Sequence, residues 1–119
     1  MIAMVESYRD LKVWQRAIAM TLEVYRATAD FPRDELFGLT SQLRRASVSV
    51  ASNIAEGYGR SSRGEYKQFL GMARGSNLEV QTQIVIATEL RFGSLKHLKE
   101  ADVLSNEVAK MLNTLLGKL

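Results

Sequence analysis

This 119-residue sequence predicts an all-α, antiparallel up-down-up-down four-helix bundle. Three observations carry that expectation. Apolar residues recur by threes and fours along four separate stretches, the spacing that gathers side chains on one face of a helix. The breaks between those stretches hold residues that stop or start helices: Asp30-Phe31-Pro32-Arg33, then Gly57 to Ser62, then Gly93-Ser94. Every connection is too short to cross a bundle, so consecutive helices must fold back on one another.

Residues 1–7 have no period and are expected to form a loose N-terminal tail, with a single domain over residues 8–119. The first helix is expected over residues 8–29. Ser7 caps it, and Asp10 sits in the first turn, where a negative charge meets the helix dipole favourably. Leu11, Trp14, Ile18, Leu22 and Tyr25 form its apolar stripe, and Trp14 reads as a core anchor rather than a ligand platform. Pro32 lacks a backbone donor and disfavours helix in the residue before it, so the chain breaks there.

The second helix is expected over residues 34–57, with Leu36, Leu39, Leu43, Ala46, Val50 and Ile54 inward. Gly57 and Gly59 are expected to close it in the left-handed conformation that glycine adopts at little cost. Ser62 followed by Glu65 has the form of a capping box and starts the third helix, over residues 63–91. Tyr66, Phe69, Ala73, Val80, Ile84 and Ala87 form its stripe. Gly71 and Gly75 lie inside this helix at about 1 kcal/mol each relative to alanine, so a neighbouring backbone is expected to pack against them. Gly93 ends it. The fourth helix, residues 95–116, runs on Leu98, Ala101, Leu104, Val108, Met111, Leu112 and Leu115. At 1.5 Å per residue these helices make a rod roughly 30 to 43 Å long.

The absence of cysteine removes disulfides, thiolate metal ligands and thiol nucleophiles together. There is no apolar run of about eighteen residues, and residues 1–7 lack the charged start and apolar core of a signal peptide. A cytoplasmic location with no membrane partner is expected. A net charge of +3 and a pI near 9.4 permit nucleic-acid binding without requiring it.

Few groups converge for catalysis. His97 is the only histidine and is expected to be an exposed helix-start residue, so a Ser-His-acid triad would rest on it alone. No Glu-x-x-His occurs, and Glu56, Glu65, Glu79 and Glu89 are not arranged to replace it in a di-iron centre. Gly57-Tyr58-Gly59 follows a helix rather than a strand and lacks the Gly-Lys-Ser/Thr ending of a phosphate loop. The sequence therefore offers no catalytic residues, no metal site and no cofactor.

Two surfaces remain. Arg60, Arg63, Lys67 and Arg74 form a basic edge, with Arg44 and Arg45 as further members, suited to nucleic-acid phosphates; Glu56, Glu65 and Glu79 sit among them. A polar line on the second helix comprises Gln42, Arg45, Ser49, Ser52 or Asn53, and Glu56. Three readings of that line stay open. It is an internal or subunit-interface network in which Arg45, Asn53 and Glu56 satisfy one another, a ligand or nucleic-acid surface using Arg44, Arg45 and Asn53, or plain solvated surface. The small residues Ala46, Ser47, Ala51 and Ala55 would let another helix come close.

Phe31-Pro32, Gln42-Leu43-Arg44-Arg45-Ala46, Asn53-Ile54-Ala55-Glu56-Gly57 with Gly59-Arg60, and Phe69-Leu70 with Ala73-Arg74-Gly75-Ser76 carry a family resemblance. So do Leu11 and Trp14. Over residues 8–92 the chain resembles the four-helix-bundle proteins encoded in intervening sequences of bacterial 23S ribosomal RNA genes. That family is similar in turn to the accessory variability proteins of diversity-generating retroelements, which work beside a reverse transcriptase. The resemblance implies a cyclic homo-oligomer, a pentamer, associated with structured RNA or DNA and with room for a protein partner. The expected function is a non-enzymatic adaptor that binds nucleic-acid backbone. The alternative is an assembly module with no direct nucleic-acid contact.

Overall fold

Each of the four periodic stretches has one apolar face and no way to bury it alone, so the chain stacks them. The computed structural model describes residues 6–119, in which α1 is Lys12–Thr28, α2 Ser41–Tyr58, α3 Arg63–Glu89 and α4 Leu95–Gly117. No strand occurs among the described residues. α2 packs against α3 and α1 against α4 most extensively, with α1–α2 and α3–α4 closing the square. This is the up-down-up-down bundle, 47 × 27 × 20 Å. Met20, Leu43, Ile54, Leu70, Leu98 and Leu112 are fully enclosed along its axis, each contributing about 1.5–3 kcal/mol by burial.

The elements differ from the sequence expectation where backbone breaks intervene. Residues 1–5 of the expected tail lie outside the described residues. Glu6 and Ser7 are tied down, because both their N–H groups donate to Asp10 Oδ2 at 3.1 Å. Ser7 does cap a turn, but that turn is the 3-10 segment Tyr8–Asp10, and extended Leu11 separates it from α1. α2 begins later than expected as well. A 3-10 turn at Arg33–Glu35 leads into the wide turn Leu36–Thr40, where Gly38 leaves helical angles and the Glu35 carboxylate accepts from Leu39 N–H at 3.1 Å. The break swings Leu36 and Phe37 out of register, leaving them 51% and 93% exposed.

The stripe expected on α1 is displaced by one face. Val13, Ala17, Met20, Val24 and Ala27 form the buried line, Leu11, Trp14 and Ile18 pack at its flank, and Leu22 and Tyr25 are exposed. Val13, Ala17, Val24 and Ala27 are small enough to take the inward line beside Met20 where α1 and α2 approach closely: Thr21 Oγ1 donates 3.1 Å to the Ser47 carbonyl, and Ser47 and Ala51 are buried. Trp14 is thus a half-buried flank residue, its ring 5.2 Å from that of Tyr8.

The glycines also behave differently from expectation. Gly59 closes α2 with φ −78°, in the right-handed region. Gly57 is required by proximity, since a Cβ there would stand 2.7 Å from Phe69 Cβ. At the end of α3 the left-handed residue is Arg91, at φ 59°. Phe92 N–H bonds to the Ala87 carbonyl and Arg91 N–H to that of Thr88, the pair of bonds of a Schellman ending. Gly93 follows at φ 70°. Around Gly71 and Gly75 nothing among the described residues lies within 4 Å of an added Cβ, so no neighbouring backbone among them packs there.

Candidate nucleic-acid interface and polar face

α3 carries the cations because its start is specified at the turn. Ser62 caps the helix by accepting from Glu65 N–H at 3.1 Å, which sets the rotation of every residue that follows. Arg63, Lys67 and Arg74 then share a line with Gln81, at spacings of four and seven that return to nearly the same angle. Gln81 Nε2 lies 3.4 Å from Asn106 Oδ1 of α4. The cationic line therefore runs along the α4 side of α3. All three cations are exposed, and none has a carboxylate within 4.0 Å among the described residues.

Arg60 does not join them. Its guanidinium sits 4.6 Å over the Phe69 ring and 3.7 Å from Glu56, on the side of α3 that faces α2, as the Gly57–Phe69 approach shows. Arg44 is farther away still. It stacks 4.6 Å over Tyr25 and donates through Nε to Thr28 Oγ1 at 2.8 Å, tying α1 to α2. The edge of expected residues thus reduces to Arg63, Lys67 and Arg74.

The polar line of α2 does form one side of a groove. Gln42, Arg45 and Ser49 face Ser76 and Glu79 of α3 across about 300 Å³. Its hydrogen bonds are not the expected ones. Asn53 Nδ2 donates to the Ser49 carbonyl and Oγ at 2.9 and 3.0 Å, and Ser76 Oγ donates to Ser49 Oγ at 3.1 Å. Glu56 pairs with Arg60, and Arg45 is exposed with no carboxylate in reach among the described residues. Ser49 and Ser76 therefore join α2 to α3, while Asn53 bonds back to Ser49 within α2, Arg45 borders the groove and Glu56 turns to Arg60.

Two polar contacts escaped sequence reasoning. Asn77 and Ser105 are buried between α3 and α4, with Ser105 Oγ donating to Asn77 Oδ1 at 2.8 Å and Asn77 Nδ2 to the Ser105 carbonyl at 3.0 Å. Both fall on the core period of their helices, which was the available signal. His97 is half-buried rather than exposed, its Nδ1 2.6 Å from Glu23 Oε2. Partial desolvation pushes the Glu23 carboxyl up, but hydrogen bonds from His97 and Arg26 outweigh it and hold the group below its ordinary value. This cluster fastens the start of α4 to α1. No set of three or more His, Asp or Glu side chains gathers to hold a metal ion among the described residues. No helix among them is long and apolar enough to cross a membrane.

A crystal structure from Bacteroides thetaiotaomicron VPI-5482, described as a protein with unknown function from the S23 ribosomal protein family, shares this arrangement. The TM-score is 0.77 at 17% identity, covering 87% of this chain and 97% of the other, a likeness of fold. No curated protein sequence matches the chain. The model of the family described as 23S rRNA-intervening sequence protein matches residues 9–114, and with nearly the whole bundle inside that match the chain belongs to this family.

Proposed function

We propose that this protein is a non-enzymatic, cytoplasmic adaptor that assembles as a homo-oligomer of five copies and holds structured RNA or DNA by its phosphates. The observation that carries the reading is the line of Arg63, Lys67 and Arg74, exposed along one side of α3 with no carboxylate within 4.0 Å among the described residues. Cations without intramolecular partners lose no ion pair when they meet phosphate, and each contact releases counterions. Repetition around an oligomer multiplies three modest contacts into one extended surface. The family name refers to intervening sequences of 23S rRNA, and the structural neighbour is assigned to a ribosomal protein family; both names support an RNA setting. No base-reading motif accompanies the cations, so the contact is to backbone and shape.

The test is fluorescence anisotropy of the sized protein against structured RNA, duplex DNA and single-stranded DNA over a salt series, repeated with Arg63→Glu, Lys67→Glu and Arg74→Glu combined. Binding to a duplex that weakens with salt, with a logarithmic slope of about 0.9 per contacted phosphate, and that disappears in the variant is the expected result. No binding at low salt overturns the reading and leaves assembly as the function. The exposed apolar residues favour that second reading. The combined variant separates the two, because nucleic-acid contact predicts lost binding at unchanged mass, whereas a protein that serves assembly alone shows no binding for the variant to lose.

A further inference from the structure

Two apolar surfaces stand at the same end of the bundle on sides that face away from each other. One lies over the start of α2, where Tyr25, Leu36, Phe37 and Val48 border a groove of about 610 Å³ with Arg44 and Arg45 at its edge. The other is a cleft of about 420 Å³ between α3 and α4, bordered by Val85, Leu95 and Val103 with Glu89, Asp102 and Lys99 around it. The Phe31–Phe92 ring contact at 5.8 Å places the two connecting segments together at this end. α1–α2 and α3–α4 are opposite sides of the helix square.

The surfaces complement each other in shape and charge. Phe37 is 93% exposed, held out by the Gly38 break and the Glu35–Leu39 bond, while the cleft offers an apolar recess. The charged residues lining the first surface are both arginines, and the second carries two carboxylates against one lysine. Arg45, Glu89 and Asp102 have no ion-pair partner within their own chain among the described residues. Leu36, Phe37 and Val48 on the first surface and Val85, Leu95 and Val103 at the second are exposed apolar side chains that gain by burial against one another, and both halves are present on every copy.

We infer that the α3–α4 cleft of one copy receives Phe37 of a second copy, with Arg45 of the incoming chain meeting Glu89 and Asp102. The contact is heterologous, so each copy uses one surface to give and the other to receive. This inference rests on the homo-oligomer reading above and assigns the surfaces that build it. It leaves the cations free: Arg74 and Val85 are eleven positions apart on α3, about 16 Å along the helix.

The experiment measures mass by light scattering for the wild type, Phe37→Asp and Val103→Asp, both at exposed positions, with circular dichroism confirming unchanged helicity. The wild type is expected to exceed a dimer and each variant to be monomeric. Mixed, the two variants are expected to form a dimer, since one retains an intact donor surface and the other an intact cleft. Arg45→Glu is expected to weaken assembly at least tenfold, and Glu89→Arg with Asp102→Arg in the same chain to restore it. A wild type that is monomeric overturns this inference and the oligomer reading together. Variants that keep the wild-type mass, or mixed variants that stay monomeric, overturn the surface assignment alone. A mass that grows without limit keeps the head-to-tail contact and overturns the closed pentamer.

Discussion

Gly57 and Gly93 differ from Gly71 and Gly75 in what surrounds them, although the sequence writes all four alike. Gly57 lies where α2 and α3 leave no room for a side chain, and an added Cβ at Gly93 would stand 2.5 Å from the Phe31 ring and overlap the Ala27 carbonyl. Gly71 and Gly75 are exposed in the middle of α3 with nothing within 4 Å. The first pair is explained inside the chain. The second pair weakens its helix with no contact in return from the described residues.

Substituting the enclosed glycines should break the bundle at its two ends. Gly93→Ala combines a left-handed backbone with overlap of a neighbouring carbonyl, and is expected to lower stability by about 2–4 kcal/mol in urea unfolding at fixed protein concentration. Arg91→Gly, two residues away, should act in the opposite sense and raise stability by about 1 kcal/mol, because it relieves the same backbone preference without adding atoms. Gly57→Ala is expected to cost about 1–2 kcal/mol. Overlap with Phe69 is the unfavourable part, and the gain in helix propensity offsets some of it.

The end that holds Gly93 has a second fastening in Glu23 and His97. Glu23 is the acidic group whose folded-state pKa lies below its ordinary value, so it stabilises the fold at neutral pH, and that contribution is lost as the pH falls through the lowered value. Glu23→Gln should therefore cost about 1 kcal/mol near neutrality. The gap between variant and wild type should close as the pH drops below the usual glutamate value of about 4.3. A constant gap would show that packing, not the charge, holds the two helices there.

The four helices were legible because their apolar period is continuous and their breaks are local: Ser62 caps α3 as its sequence context suggests, and Ser94, at the break expected before α4, accepts from His97 N–H. The rotation of α1 was not legible. Leu11, Trp14, Ile18 and Leu22 look more hydrophobic than Val13, Ala17 and Ala27, but close approach of α2 favours the smaller set. The site was legible in part. Arg63, Lys67 and Arg74 kept their relation because they lie on one uninterrupted helix. Arg60 and Arg44 left it because nearby aromatic rings compete for a guanidinium. Phe37 gave no signal at all, since its exposure comes from the angles of Gly38 and not from any period.

The open glycines give the smallest effect and the sharpest use of the contrast. Gly71→Ala and Gly75→Ala should each raise the unfolding stability of the chain by about 0.5–1 kcal/mol, since alanine is the better helix former and meets no neighbour. Mass and RNA affinity measured on the same samples then show what the glycines were kept for. A stabilised chain with reduced mass means that another copy approaches α3 at these positions. A stabilised chain of unchanged mass with weaker RNA binding means that the nucleic-acid backbone does, beside Arg74. If both readouts are unchanged, the glycines serve neither surface, and the proposed contacts of this protein lie wholly outside that face of α3.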